Sequence, residues 1–346
     1  MKILIVTDAW SPQVNGVVRT LQSVRAELEK MGHAVAIISP DQFRSMPCPT
    51  YPEIRLALTT SVGRRIRDAR ADAIHVATEG PLGLAARRYC LRHRLPFTTA
   101  YHTQFPEYVS KRTRLPARWF WRYIRWFHSA AKAVMVSTPT VERQLHANGI
   151  PHTRTWGRGV DLSFFTVEGP RHPAFANAEK AAQLYVGRVA IEKNIEAFLT
   201  CRHAGTKIVV GEGPGLEGLR ARFPDVHFLG KLTGPDLAAA YRSADVFVFP
   251  SRTDTFGLVL IEALATGTPV AAYPVQGPID VLTEQVAAMD EDLDTAIARA
   301  LTRDRAACAH YASRFGWDKS ARQFLEALVP IRRAEAPAEA GALNGA

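Results

Sequence analysis

Two cations and two carboxylates in the second half of the chain carry its plainest chemistry. In Gly187-Arg188-Val189-Ala190-Ile191-Glu192-Lys193-Asn194, which leaves the apolar run Gln183–Val186, Arg188 and Lys193 stand five residues apart. That spacing is expected to set both on one turn at the carboxyl end of a parallel sheet, where such sheets bind ligands. A guanidinium holds phosphate oxygens bidentately and an ammonium acts as a point charge, so the pair suits a diphosphate. The plainer alternative is a solvated Glu192/Lys193 surface pair.

The run Pro250-Ser251-Arg252-Thr253-Asp254-Thr255-Phe256-Gly257-Leu258-Val259-Leu260-Ile261-Glu262 follows the apolar stretch Val246–Phe249. Asp254 or Thr255 is expected to cap a helix whose free N–H groups begin near Gly257 and attract phosphate. On an ideal helix Asp254 and Glu262 are separated by about 12 Å of rise and about 80° of rotation, so they share one side. One carboxylate would bind hexose hydroxyls, the helix end a diphosphate, and the other carboxylate a ribose diol. A carboxylate amid the apolar neighbours of Glu262 needs a partner if buried.

Other candidates are sparser. The turn Asp8-Ala9-Trp10-Ser11-Pro12-Gln13-Val14-Asn15-Gly16-Val17 holds one glycine, Gly16, before a helix, and lacks the G-x-G-x-x-G that a dinucleotide enzyme places there. His102 follows the run Phe97–Tyr101, and Glu79-Gly80-Pro81 follows another. No D-x-D motif stands beside these candidates, so no metal and no cofactor are expected.

The elements that must position these residues are short apolar runs separated by helix-like stretches. Lys2–Thr7, Ala34–Ser39, Ile54–Leu58, Ala73–Ala77, Phe97–Tyr101 and Val134–Ser137 form one series; Gln183–Val186, Lys207–Val210, Val226–Leu229, Val246–Phe249 and Pro269–Ala272 form a second. Val18, Leu21, Val24 and Leu28 recur at helical spacing before Gly32, a stop. Strands alternating with helices predict parallel sheets covered on both faces, in two doubly wound α/β domains joined by a linker over Thr166–Lys180. A last helix is expected over Trp317–Val329, followed by a disordered Ala/Glu/Pro/Gly tail over 331–346.

Composition bounds the class. The chain has 346 residues, 47% apolar and 22% charged, enough to bury two cores. No stretch approaches the roughly 18 apolar residues of a spanning helix, and the first apolar run is too short for a signal peptide. Cys48, Cys90, Cys201 and Cys308 lie far apart and suggest neither disulfides nor a zinc site. Residues 1–170 hold 24 Lys/Arg against 12 Asp/Glu, whereas 171–346 hold 19 against 21. The first half is basic (+12) and the second nearly neutral (−2).

Taken together, Arg158-Gly159-Val160-Asp161-x3-Phe165, Gly187-Arg188-x3-Glu192-Lys193-Asn194, Gly211-Glu212-Gly213-Pro214 and Asp254-x7-Glu262 resemble the retaining glycosyltransferases of family 4, in their mannosyltransferase and glycolipid-forming branch. The likeness spans nearly the whole chain. It implies the GT-B fold: two Rossmann-like doubly wound domains facing an interdomain cleft, an acceptor domain over 1–168, a nucleotide-sugar domain over 178–312, and a terminal helix near 313–330 that packs back on the first. It also implies site roles. Arg188 and Lys193 would clamp the donor diphosphate and Glu262 the ribose. Asp254, Phe256, Gly257 and Leu258 would contact the donor sugar and phosphates, with Gly16 and Gly211 beside them. His102 would lie near the transferred sugar and Glu79 on the acceptor side. The family's usual Glu is here Asp254, one methylene shorter, which leaves the hexose open among GDP-mannose, UDP-glucose and UDP-glucuronate donors.

From Val109 to Val141 there is no acidic residue, and Lys111, Arg112, Arg114, Arg118, Arg122 and Arg125 alternate with Trp119, Phe120, Trp121, Tyr123, Trp126 and Phe127. Arg64, Arg65, Arg67 and Arg70 add a second cluster. Cationic and aromatic side chains together suit an anionic membrane surface, and point to a lipid or lipid-linked acceptor such as diacylglycerol and to a cytoplasmic protein peripherally bound at the inner membrane face. Aromatics packed inward with solvated arginines are the alternative, as is a soluble saccharide acceptor. A nucleic-acid binder would share the basic aromatic segment but has no use for the carboxylates and cations of the second half, so no nucleic acid partner is expected.

Overall fold

The computed structural model describes residues 1–13, 15–48, 51–102, 116–176, 178 and 180–331. The strands are β1 (Lys2–Val6), β2 (Ala34–Ile38), β3 (Ser45–Cys48), β4 (Tyr51–Ala57), β5 (Ala73–Val76), β6 (Thr98–Ala100), β7 (Ala133–Val136), β8 (Thr153–Thr155), β9 (Ala182–Val186), β10 (Thr206–Val210), β11 (His227–Gly230), β12 (Val246–Phe249), β13 (Val270–Ala272) and β14 (Ala287–Met289). The helices of the first half are α1 (Gly16–Lys30), α2 (Val62–Ala69), α3 (Pro81–Arg92), α4 (Ala117–His128) and α5 (Pro139–Ala147). Those of the second are α6 (Ile195–Leu199), α7 (Leu216–Arg222), α8 (Gly234–Ser243), α9 (Leu258–Ala265), α10 (Pro278–Val281), α11 (Leu293–Ala300), α12 (Arg305–Ala312) and α13 (Trp317–Ala327).

Two six-stranded sheets result, ordered β2-β1-β5-β6-β7-β8 and β11-β10-β9-β12-β13-β14, and every pairing within them is parallel. Each is covered on both faces, as continuous apolar strands require. Leu4 and Val6 enter one core cluster while Ile3 and Ile5 enter another; Phe247 and Phe249 oppose Val246 and Val248 in the same way. In each sheet the strand order reverses beside the first strand, between β1 and β5 and between β9 and β12. The loops leaving those strands flank a crevice, which is where open α/β sheets hold ligands.

Two expectations change. The run Ile54–Leu58 belongs to no parallel sheet: β4 pairs antiparallel with β3 in a hairpin. The edge strands β8 and β14 carry no long apolar run and were not expected. Described residues of the segment Thr166–Lys180 pack on the second half: Arg242 donates to the carbonyls of Phe164, Thr166 and Pro170, and Phe175 is buried in the second core. The expected tail lies outside the described residues beyond Ile331.

Helix α13 follows the second sheet in sequence but packs on the first, against α1. Trp156, fully buried, donates from its indole to Ser320 Oγ at 3.1 Å, and Gly157 N donates to Gln323 Oε1 at 2.8 Å. Phe324 closes the contact, with ring centroids 5.0 Å from Trp156 and 4.9 Å from His75. Gly159 is required there, since a Cβ would fall 2.7 Å from the Trp317 backbone nitrogen. Phe324→Ala should therefore cost about 3–5 kcal/mol of stability, read as a lowered urea midpoint; a loss under about 1 kcal/mol contradicts this packing.

Candidate active site

The crevice of the second sheet is built by close backbone approach. A Cβ at Gly211 would lie 1.9 Å from the Gly187 carbonyl oxygen, and one at Gly213 would lie 2.3 Å from that of Val189. Only glycine lets the loops after β9 and β10 nest. The loop after β9 carries Arg188 and then a 3-10 turn, Ile191–Lys193, that ends on left-handed Asn194. The Asn194 side chain donates to the Pro250 carbonyl at 3.1 Å, tying this loop to the one after β12. Across that tie Lys193 Nζ donates to Asp254 Oδ1 at 2.7 Å, while Asp254 Oδ2 is buried with no hydrogen-bond partner among the described residues. Burial pushes the Asp254 carboxyl up, but the charge and hydrogen bond of Lys193 outweigh it and hold it below its ordinary range.

Glu262, 2% exposed, lies on α9 among apolar residues. Tyr241 donates its hydroxyl to Oε2 at 3.1 Å, and Arg19 of α1 meets Oε1 at 2.5 Å across the crevice. Burial, with the Glu262 charge, pushes the Tyr241 phenol well up, so it stays a donor.

Several local expectations are corrected. Asp254 lies in the loop before α9, and neither it nor Thr255 caps that helix; the N-cap is Gly257, at φ +81°, with no side-chain cap. Arg188 precedes the 3-10 segment Ile191–Lys193, which Lys193 ends. The Phe256 side chain points into the core against Phe315, leaving only its backbone for a ligand. Gly16 is the first residue of α1, capped by the Asn15 side chain accepting from Val17 and Val18 N–H at 3.0 Å.

The first sheet meets this loop directly. Thr255 donates its hydroxyl to the His102 carbonyl at 2.8 Å, and its own carbonyl accepts from Ser137 and Thr138. Thr140 binds Asp280 by backbone and hydroxyl at 3.0 and 2.8 Å. A Cβ at Gly16 would sit 3.8 Å from Leu258 Cδ1. His102 follows β6, two residues past its end, with its ring edge-on to Trp156 at 5.4 Å, and Arg158 Nη2 donates to its Nδ1 at 3.1 Å. Burial, then the Arg158 charge, push the His102 imidazole well below its ordinary range. At the other crevice Asp8 accepts from Leu82 and Gly83 N–H and from Thr78, capping α3 from within; burial raises its carboxyl. Glu79 faces His128 Nε2 at 3.2 Å, and its carbonyl accepts from Tyr123.

Helix α4 divides the basic aromatic segment. Ile124, Phe127 and His128 are buried and Trp121 stacks on Tyr101, whereas Arg118, Trp119, Arg122, Arg125 and Trp126 are exposed, Trp119 by 58%. Arg87 pins its end, donating to the Trp126 and Phe127 carbonyls with its guanidinium 4.0 Å above the Trp126 ring. Lys111, Arg112 and Arg114 lie outside the described residues. On α2, Arg64, Arg65 and Arg67 are exposed, as is Arg70 beyond its end. Among the described residues no helix is long and apolar enough to cross a membrane, and no three His, Cys, Asp or Glu side chains cluster as metal ligands would.

The sequence reading missed Arg19, Tyr241 and Arg158 as site groups. Arg19 and Tyr241 are ordinary residues of amphipathic helices, and only the fold brings them to Glu262. Arg158 was visible as part of a motif, but its partner His102 is 56 residues away.

Two parallel Rossmann-like sheets, their carboxyl edges meeting at one crevice, define the GT-B fold. Solved structures agree: sucrose-phosphate synthase from Thermosynechococcus elongatus matches with TM-score 0.73 at 20% identity, covering 94% of this chain and 97% of that one. Anabaena HepE in complex with UDP and glucose matches with TM-score 0.68 at 17% identity, covering 94% and 98%. The models of Glycosyltransferase Family 4 and of Glycosyl transferases group 1 match residues 14–164 and 181–303. A GDP-mannose-dependent alpha-mannosyltransferase of Mycobacterium tuberculosis is 30% identical over 82% of both chains. An alpha-monoglucosyldiacylglycerol synthase of Streptococcus pneumoniae is 26% identical over 79% of this chain and 71% of its own length. The chain belongs to glycosyltransferase family 4.

The Lys193–Asp254 pair yields a pH test. Because the Asp254 carboxyl is held below its ordinary 3.8, its stabilisation is present above that value and is lost as pH falls through the folded-state value. Lys193→Met leaves a half-buried carboxylate without its counter-charge. It should cost on the order of 1–3 kcal/mol at pH 7, with the deficit shrinking toward pH 4 as the carboxyl protonates. Urea unfolding at both pH values checks this; an equal deficit at both contradicts it.

Proposed function

We propose that this chain is a retaining hexosyltransferase that moves a sugar from a nucleoside-diphosphate donor to a hydroxyl of a membrane lipid. The observation that carries the reading is the assembly of Lys193, Asp254 and Glu262 at the carboxyl edge of the second sheet, facing His102 through the Thr255 contact. Arg188 and Lys193 take the diphosphate, the Leu258 end of α9 adds backbone N–H groups, and Gly16 and Gly211 leave room for close approach. Glu262 takes the ribose diol in place of Arg19. Asp254 and His102 bind hydroxyls of the hexose.

Transfer occurs on one face of the sugar. The bond from the anomeric carbon to the diphosphate breaks, and the electron pair stays on the departing oxygen. That oxygen accepts the proton of the acceptor hydroxyl as the new glycosidic bond forms. The two cations and helix-end amides stabilise the charge that develops on the diphosphate, so the reading calls for neither metal nor cofactor. The mycobacterial relative favours GDP-mannose as donor.

The pneumococcal synthase supports a diacylglycerol-type acceptor, and the outward Arg118, Arg122, Arg125, Trp119 and Trp126 of α4 fit an anionic bilayer to which the protein binds peripherally at the cytoplasmic face. Each exposed arginine contributes about 1 kcal/mol there.

A hydrolysis and transfer panel of GDP-mannose, UDP-glucose and UDP-glucuronate, with and without anionic vesicles containing diacylglycerol, tests this. One donor should be consumed, faster with vesicles. Lys193→Ala should abolish turnover of that donor; unchanged turnover would remove the assignment. Replacing Arg118, Arg122 and Arg125 together by Ala should release the protein from vesicles in co-sedimentation, and full retention would exclude α4 as the membrane face.

A further inference from the structure

We propose that Arg158 is a positioning residue that locks His102 in a single neutral tautomer with its proton on Nε2, and that α13 is the support through which it does so. The inference deepens the transfer reading above and rests on it for the role of His102.

A guanidinium can only donate. With Arg158 Nη2 3.1 Å from Nδ1, that ring nitrogen must be the acceptor, and the single proton of the neutral imidazole resides on Nε2. Nε2 is buried and has no hydrogen-bond partner among the described residues, so the ring holds a desolvated donor in reserve. Protonating Nδ1 would set two donors against each other beside a fixed cation. The charge of Arg158 opposes it too, and His75 and His128 are the ring's other titratable neighbours. Burial pushes His75 down to about 3, so it is neutral, and His128 is engaged by Glu79 and Thr99.

Arg158 is itself rigidly held. It is 7% exposed, and no carboxylate pairs with it among the described residues. Nη1 donates to the Trp156 carbonyl at 2.7 Å and to that of Gly157 at 3.2 Å, and the guanidinium lies 4.6 Å over the Trp156 ring. Burial lowers it to about 9, which leaves it charged at neutral pH. The carbonyls it grips belong to the segment that Ser320, Gln323 and Phe324 of α13 hold from below. A lysine has no planar fork to reach His102 and two carbonyls at once.

The chemical gain is specific. In glycosyl transfer the anomeric carbon becomes oxocarbenium-like, and an imidazolium beside it would oppose that charge. A neutral imidazole with Nε2–H can donate to a sugar oxygen without adding a positive charge. Arg158 places its own charge on the far nitrogen and makes the near one a neutral donor.

Long-range 15N–1H NMR of the imidazole, with His102 assigned through His102→Asn, tests the tautomer without any donor. The native protein should show the neutral Nε2–H form from pH 5 to 8. In Arg158→Met the ring should mix tautomers or titrate in that range. Its kcat should fall about 10–100-fold and gain an acidic limb, with donor KM changed less than about threefold. Gln323→Ala should shift the same signals less, and it carries the decision if the methionine variant does not fold. A native ring protonated on Nδ1, or variants that leave tautomer and kcat profile unchanged, would overturn the assignment. A chain that consumes no sugar nucleotide would sink the transfer reading and leave the tautomer test standing.

Discussion

A carboxylate cannot stay buried alone, and the crevice is organised by that constraint at Glu262. The residue sits on a helix whose other buried positions are apolar, at 2% exposure. Its charge is met by Tyr241 from its own half and by Arg19 from the other. The second carboxylate, Asp254, is met by Lys193 only because Asn194 ties the two loops together. The proposed donor replaces what it would displace, with a diol at the carboxylate of Glu262 and phosphate oxygens at the ammonium of Lys193.

The second dependency runs through α13. The chain returns from the second sheet to seal the underside of the first, and the residues it grips, Trp156 and Gly157, are those that carry Arg158. His102 is therefore fixed from two directions, by Thr255 of the opposite half on its carbonyl and by Arg158 on its ring. Stability of the terminal helix and geometry of the site are one problem in this fold.

The fold was legible because its signals are local. Fully buried strands are continuous apolar runs, and Val18, Leu21, Val24 and Leu28 announce α1 by period alone. The glycines at 187, 211 and 213 and the carboxylates at 254 and 262 were also legible, since backbone approach and buried charge leave marks on residue type. What escaped was non-local or polar. Strand β8 is Thr-Arg-Thr, too short and polar to read as a strand, and the hairpin β3–β4 mimics a sheet strand until its partner is known. Asp254 reads as a cap because an aspartate just ahead of an apolar helix usually is one; in the fold it instead pairs with Lys193, 61 residues away. Arg19 carries no sign in sequence that its partner is a carboxylate in the other half. On α4 the alternation of arginines and aromatics was plain, but which tryptophans turn outward was settled by the fit of Trp121 on Tyr101.

Calorimetric titration with GDP and UDP, comparing the native chain with Glu262→Gln, bears most directly on the central claim that the second sheet's edge binds a nucleoside diphosphate through this carboxylate. One of the two nucleotides should bind the native protein, and Glu262→Gln should weaken it at least tenfold, about 1.4 kcal/mol, without unfolding the chain. Binding of neither nucleotide at millimolar concentration, or equal affinity in the variant, would contradict the claim.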